Sequence, residues 1–240
     1  MLSAEKIGVM PARPVFRPLL PTFLILAGFC AICAHVLIQA RVATRERAAD
    51  TAMSLIAAIK SDVSRNIETL DLSLQGVVDN LRYPGIHQID PQLRQLVLFD
   101  RSATARHLGT ILVIDENGNV RLDSRTIHPA ALNFADRDYF QAHEQDETLG
   151  TYIGRPARAR VSGEWFIGVS RRLSHADGSF AGVVVATLHL SYFRELFKDL
   201  ALGPDSTVTL SHADGTLLMR WPYQEELLGY NLKNAALHEH

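Results

Sequence analysis

The sequence predicts an α/β protein of the α+β kind: one membrane-crossing helix, a long helix, an antiparallel-sheet module and the start of a second such module. Three observations predict it. An uncharged apolar run lies near the N-terminus, an apolar 3/4 spacing then persists for more than four heptads, and a strand–polar turn–strand pattern occurs twice afterwards. Hydrophobic residues make up 47% of the 240, enough for a sizeable core. A formal net charge of −2 argues against a nucleic-acid partner, which selects for a strongly basic face.

Leu19 to Ile38 reads LLPTFLILAGFCAICAHVLI and contains no Asp, Glu, Lys or Arg. About 20 such residues, rising ~1.5 Å each, cross a hydrocarbon core of ~30 Å, which sets a transmembrane segment over residues 18–40. The run is longer than a signal-peptide core and no small-x-small site closes it, so an uncleaved anchor is expected. Charge leaves its orientation open, since Lys6, Arg13 and Arg17 precede it and Arg41, Arg45 and Arg47 follow. Cys30 and Cys33 lie inside the run and read as small apolar residues, not as a redox pair, which needs an accessible thiolate. The chain after Cys33 is cysteine-free, which suits an oxidising compartment.

From Ala49 to Leu81 mostly apolar residues recur every three or four positions: Ala49, Met53, Ile56, Val63, Ile67, Leu70, Leu74, Val77 and Leu81, with Lys60 the one break. That is a long helix with one buried seam, facing either a second copy of the chain or the module that follows. Tyr83, Pro84 and Gly85 stop it, and a shorter helix is expected over Pro91 to Phe99. Thr110 to Ile114 reads as a strand, 115–119 as an Asn-Gly turn, and Val120 to Leu122 as its return strand. Trp165 to Arg171 is a strand, and Asp177-Gly178 turns the chain into Ser179 to Leu190, whose unbroken apolar character suits the centre of a sheet. Ser191 is placed as the cap of a helix over Tyr192 to Leu200, ending at Gly203-Pro204. The pattern then restarts with Thr207 to Leu210, a turn at 212–215 and Thr216 to Arg220. Residues 204–240 are too few to bury a core of their own, so a truncated second module is expected.

Several ordered stretches carry a family resemblance: NFADRDYFQAH from Asn133, TYIGRPARAR from Thr151, SGEWFIGVSRRL from Ser162, DGSFAGVVVATLHLSYF from Asp177 and DGTLLMRWP from Asp214. In this succession the chain resembles a double-Cache periplasmic sensor (PDC, PAS-like), most of all the sensor regions of bacterial diguanylate cyclases, and next to them those of histidine kinases. The resemblance implies a cytoplasmic N-terminus over 1–17, a long helix over 41–82, a membrane-distal module over 83–203 and the beginning of a membrane-proximal module over 204–240. It further implies a sensor facing the periplasm from the bacterial inner membrane, with a second span and an output domain beyond the residues seen.

The same resemblance places the ligand between the distal sheet and the loops covering it. Arg137, followed by Tyr139 and Phe140, resembles the family's Arg-x-aromatic-aromatic element, whose guanidinium grips a ligand carboxylate; a planar fork among aromatic faces suits that task. Tyr152, Arg155, Trp165, Ser170 and Arg171 complete the expected wall. Arg171 and Arg172 are adjacent on a strand and point to opposite faces, so one at most enters the site, and Arg171 is preferred. The amino-acid-binding branch needs an acidic residue late in the long strand, where this chain has His189, or Thr187 one register away. An organic-acid-like anion without an amine therefore fits better. Asp136 and Asp138 are read equally as a salt-bridge cluster at the start of a helix, and Gly163, Gly168 and Gly182 as structural. No phosphate loop, zinc spacing or nucleophile elbow is found, so no cofactor, no metal and no catalysis are expected. The expected partners are a small anion, a second copy of the chain and membrane lipid. The alternative is a ligand-free dimerisation module built on the helical seam.

Overall fold

The computed structural model describes residues 19–99, 108–198 and 206–235. The expectations for residues 1–17 and for the helix end at Leu200 and Gly203-Pro204 lie outside the described residues. Helix α1 spans Leu19–Leu81. Contacts divide the chain into one unit up to Ala57 and a second from Ala58 onward. The first holds an apolar segment, Phe23–Thr44, with a mean hydropathy of 2.2 and none of it buried inside the protein. Met53 and Ile56, on the expected seam, are also exposed in this unit.

In the second unit the seam is filled. Leu70, Leu74, Val77 and Val78 are buried, with Ile59, Val63 and Leu81 packed against them, so the 3/4 spacing here serves the module that follows. Helix α2, Pro91–Leu98, starts where expected: the Asp90 carboxylate accepts from the backbone N–H of Gln92 at 2.8 Å and of Leu93 at 3.3 Å, and Pro91 occupies the first turn, where no donor is needed.

The sheet is antiparallel. Strands β1 (Leu108–Ile114), β2 (Val120–Asp123), β3 (Tyr152–Ile153), β4 (Ala157–Arg158), β5 (Trp165–Ser174) and β6 (Phe180–His189) lie in the order β2-β1-β6-β5-β3, with β4 also paired to β5. Side chains alternate between its faces. Ile111, Val113, Ile167, Val169, Val184, Ala186 and Leu188 face α1, α2 and helix α4 (Leu190–Lys198), which adds Phe193 and Phe197. Leu112, Ile114, Phe166, Val183 and Val185 face the other way, against Phe134 and the Tyr139 and Phe140 side chains of helix α3 (Asp138–Gln145). Burial on both faces is why β6 reads as one apolar run. Strands β1 and β6 come so close at Gly182 (φ +117°) that a Cβ there would lie 2.0 Å from the Ile114 carbonyl oxygen.

Helix α4 begins directly at the end of β6, one residue before Ser191, so the expected serine cap is corrected to a first-turn residue. The later hairpin pairs β7 (Val208–Ser211) with β8 (Leu217–Trp221), followed by a 3-10 turn, Glu225–Leu227, and helix α5, Leu232–Ala235. Leu218 and Met219 join the core shared with α1 and α4, so the hairpin packs on the module before it.

A polar cluster ties α1 to the sheet. The Asp71 carboxylate of α1 accepts from Arg171 Nε at 2.7 Å and Nη2 at 2.9 Å, a two-pronged grip, and from the Thr151 hydroxyl just before β3. The Arg171 bond, against the opposing cost of burial, holds the Asp71 carboxyl below its ordinary range. Both side chains are about a quarter exposed, between the surface and fully buried limits for ion pairs. A double-mutant cycle of Asp71→Ala and Arg171→Ala should give a coupling of about 1–2 kcal/mol. The readout is urea unfolding of the nanodisc-held chain followed by the fluorescence of Trp165 and Trp221. Additive single losses would show that the pair contributes nothing.

Candidate functional site

The sheet face turned away from α1 carries the polar constellation. Helix α3 presents Tyr139, Phe140 and His143 inward, one stripe at helical spacing. Tyr139 fits because β5 has Gly168 beneath it: a Cβ there would lie 2.9 Å from the tyrosine ring. His143 and Ser170 are both fully buried, with His143 Nε2 3.1 Å from the serine hydroxyl and Nδ1 without a partner. Tyr152, paired in register with Ser170 across β3 and β5, sets its ring edge to His143 at 6.2 Å between centroids. The Asp138 carboxylate binds the pieces together, accepting from the Tyr139 N–H at 2.8 Å, the Arg155 N–H at 2.7 Å and the Tyr152 hydroxyl at 3.4 Å.

Arg137 stands at the N-terminal end of α3, its guanidinium carbon 5.9 Å from the ring centroids of both Phe134 and Phe166. Nη2 donates to the Arg158 carbonyl at 2.8 Å, while Nε is buried and unpartnered. An unpaired buried donor costs about 1–3 kcal/mol, so Arg137 Nε and His143 Nδ1 are expensive features of an otherwise apolar face. Burial, reinforced by the nearby Arg172 and Arg171 charges, pushes the His143 imidazole below its ordinary value despite the Ser170 bond. Burial likewise raises the Tyr139 phenol, and burial together with Asp138 raises that of Tyr152.

The predicted residues therefore divide. Arg137, Tyr139, Tyr152 and Ser170 come together on this face. Arg155 contributes its backbone N–H there, but its guanidinium reaches Asp214 in the β7–β8 turn at 3.3 Å. Arg171 lies on the opposite face, held by Asp71. The preference for Arg171 is thus corrected: Arg172 has the site's parity, with its guanidinium 4.9 Å from the Phe180 ring centroid and bonded to the His143 carbonyl. Trp165 and His189 meet elsewhere, in a cavity of about 240 Å³ shared with Arg158, Arg194 and Tyr223. There His189 Nδ1 lies 3.4 Å from Glu164, and the Trp165 Nε1 is buried without a partner. The sequence reading weighed Arg172 but preferred Arg171, and it missed His143. The histidine was findable, since it lies four residues after Tyr139 on the same helical stripe. Among the described residues no three His, Cys, Asp or Glu side chains gather for a metal ion.

The buried histidine makes stability depend on pH. Its folded-state value is depressed, so below the unfolded value of ~6.5 the unfolded chain binds a proton that the folded chain resists, and stability falls as pH falls through that point. The urea-unfolding free energy of the wild type should decline from pH 7 to pH 5. In His143→Gln this decline should be shallower, by at most ~1.4 kcal/mol per pH unit. Equal slopes would remove His143 as the cause.

Comparison with known proteins agrees with this architecture. The Cache domain family model matches residues 40–239. The extracellular domain of an inferred histidine kinase, rpHK1S-Z16, is 31% identical, with a TM-score of 0.55, over 73% of this chain and 70% of that one. The ligand-binding domain of the Pseudomonas fluorescens chemoreceptor CtaA, in complex with L-isoleucine, is 19% identical over 77% of this chain and 70% of that one, with a TM-score of 0.55. That of the Pseudomonas aeruginosa PAO1 chemoreceptor PctB, in complex with L-Arg, is 16% identical over 70% of each chain, with a TM-score of 0.53. At those identities the two chemoreceptors speak for the fold alone. No curated protein matches. The named neighbours are sensor domains of a histidine kinase and of chemoreceptors, and the expected closeness to diguanylate cyclases in particular narrows to the family itself. With the family model covering most of the sequence, and a relative 31% identical over 73% of this chain, the chain belongs to the Cache domain family.

Proposed function

We propose that this chain is the extracytoplasmic ligand-sensing region of a bacterial inner-membrane signalling receptor, and that its ligand is a small carboxylate-type anion bound at Arg137. One observation carries the reading: a guanidinium with a buried, unpartnered Nε lies between two aromatic rings, on the same face as a buried His143 with its own unpartnered nitrogen. An incoming carboxylate accepts from Arg137 Nε, and a polar group on the ligand reaches His143 or Ser170. The described cavities lie away from these residues, and Tyr139, Phe140 and Phe166 are buried over them. Binding therefore entails an opening of α3 and the 134–137 segment, and a ligand drives that change only through its greater affinity for the open arrangement.

The preference for an anion without an amine rests on where carboxylates are committed. Late in β6, Thr187 exchanges hydrogen bonds with the Thr110 backbone and His189 sits beside Glu164. Asp138 already accepts from three donors. An α-amino group thus finds no free counter-charge. The amino-acid complexes of CtaA and PctB make ordinary amino acids the runner-up class. The output is a cytoplasmic domain of histidine kinase, diguanylate cyclase or chemoreceptor type, acting in a dimer to which the exposed Met53 and Ile56 of α1 contribute.

The packed state of this face also favours a second reading, a dimerisation module without a small-molecule ligand. Thermal-shift measurements on the nanodisc-held chain, with organic acids and amino acids at high concentration, separate the two. A ligand at 100 times its Kd stabilises by about 2.7 kcal/mol. Organic acids should raise Tm, and Arg137→Ala should weaken the best of them about tenfold or more while the protein stays folded. Tight binding of ordinary amino acids with none of organic acids would overturn the anion preference. Silence from a well-folded protein would leave the dimerisation module.

A further inference from the structure

A second pocket lies on the opposite side of the sheet. A cavity of about 920 Å³ opens between the last turn of α1, α2 and the β1–β2 and β5–β6 turns, within the ~300–1,000 Å³ range usual for ligand clefts. Its floor is apolar: Val78 and Leu81 from α1, Val113 and Leu122 from the β1–β2 hairpin, and Leu173 from β5. Its charged lining consists of Arg82, Arg94 and Arg121 against Asp115 and Glu116, with His87 and His175 at the edge. Three guanidinium groups thus face two carboxylates.

The pairing within that set is uneven. Arg121 Nε lies 2.8 Å from Asp115, whose carboxylate also accepts from the backbone N–H groups of Asn117 and Asn119. Arg82 leans toward Asp79 at 3.7 Å. Arg94, partly buried, and Glu116 have no ion-pair partner among the described residues, and the lining's three guanidinium groups against two carboxylates leave it one positive charge in excess. The walls are braced before anything binds. Asn80 of α1 donates to the Val97 carbonyl of α2 at 3.0 Å, and Gln95 of α2 to the Asp123 carbonyl of β2 at 2.7 Å. Neither Arg137 nor any residue of α3 borders this cavity.

We infer that this cavity is a second ligand site, for an anion with an apolar body such as an aryl- or alkyl-carboxylate. The acid group pairs with Arg94, seconded by Arg82, and the apolar body covers Leu81, Leu122 and Leu173. A preformed apolar cleft with one surplus cation selects this class over both halves of it: an uncharged aromatic leaves Arg94 unpaired, and a bare small anion leaves the floor wet. A ligand here touches the last turn of α1 directly, so it acts on the helix without passing through the sheet.

Calorimetry on the full chain in nanodiscs tests this with phenylacetate as the probe, and with phenylethanol and acetate as its two halves. Phenylacetate should bind, the two halves should bind at least tenfold more weakly, Arg94→Ala should weaken phenylacetate about tenfold and Arg94→Glu should abolish it. Repeating the titrations in Arg137→Ala, which removes the carboxylate site proposed on the other face, should preserve the dependence on Arg94 and so keeps the two sites distinguishable. No heat from phenylacetate at millimolar concentration, equal binding of phenylethanol, or loss of binding in Arg137→Ala with retention in Arg94→Ala would each overturn the assignment.

Discussion

The grip of Asp71 on β5 and on the residue that leads into β3 is the constraint from which much of the module's organisation follows. Tyr152 and Ser170 face each other in register on the side of the candidate site. Their chain neighbours Thr151 and Arg171 both reach the Asp71 carboxylate on α1. Because successive side chains of a strand alternate faces, the same stretches of β3 and β5 that form the site are tied on the reverse to one residue of the long helix. A shift of β3 against β5 cannot leave Asp71 indifferent: either the carboxylate follows, and α1 with it, or a bidentate bond is lost. On the sensor reading proposed above, this is the physical carrier between site and helix: β5, the start of β3 and one carboxylate.

The apolar core makes that carrier stiff. The α1 side of the sheet is closed by residues of α1, α2, α4 and β8 in one continuous cluster, with Leu70, Leu74, Val169 and Val184 fully buried. Interiors packed to this density respond to strain by moving whole elements and not by local compression. Tyr192 adds a second tie, donating to Asp62 of α1 at 2.5 Å from the start of α4. The long helix is thus held at two heights, once by the middle of the sheet and once by the helix that follows its central strand.

Much of this was legible in the sequence. The apolar run, the 3/4 seam, the short helix from Pro91, and the turns at 115–119, 177–178 and 212–215 all state their local physics, and the structure has the corresponding elements. What escaped had no local signal. Strands β3 and β4 are two residues each and exist only because β5 offers them an edge. The start of α4 at Leu190 is dictated by packing of Leu190, Phe193 and Phe197, which overrides the preference for Ser191 as a cap. The facing of Arg171 and Arg172 depended on strand parity, and parity is hidden where both faces of a strand are buried, as they are over Phe166 to Ser170. The partner that decides it, Asp71, is 100 residues away in the chain. Around Arg137 the motif located the residue, but its unpartnered Nε is a property of the three-dimensional packing alone.

The two faces of the sheet spend their polar groups in opposite ways. On the α1 side Arg171 is fully answered by Asp71, and its charge is neutralised within hydrogen-bonding distance. On the far side Arg137 keeps a buried donor without an acceptor, and His143 a buried nitrogen without a partner, each at a cost that packing alone would be expected to remove by substitution to an apolar residue. A paired charge is compatible with the arrangement that holds it. A buried nitrogen left without a partner destabilises the arrangement that buries it, and so lowers the free energy needed to reach an arrangement that exposes it. The same residues that make the closed face costly are therefore those that an acceptor-bearing ligand would reward, and the difference between those two energies is what a sensor needs in order to have two states within reach.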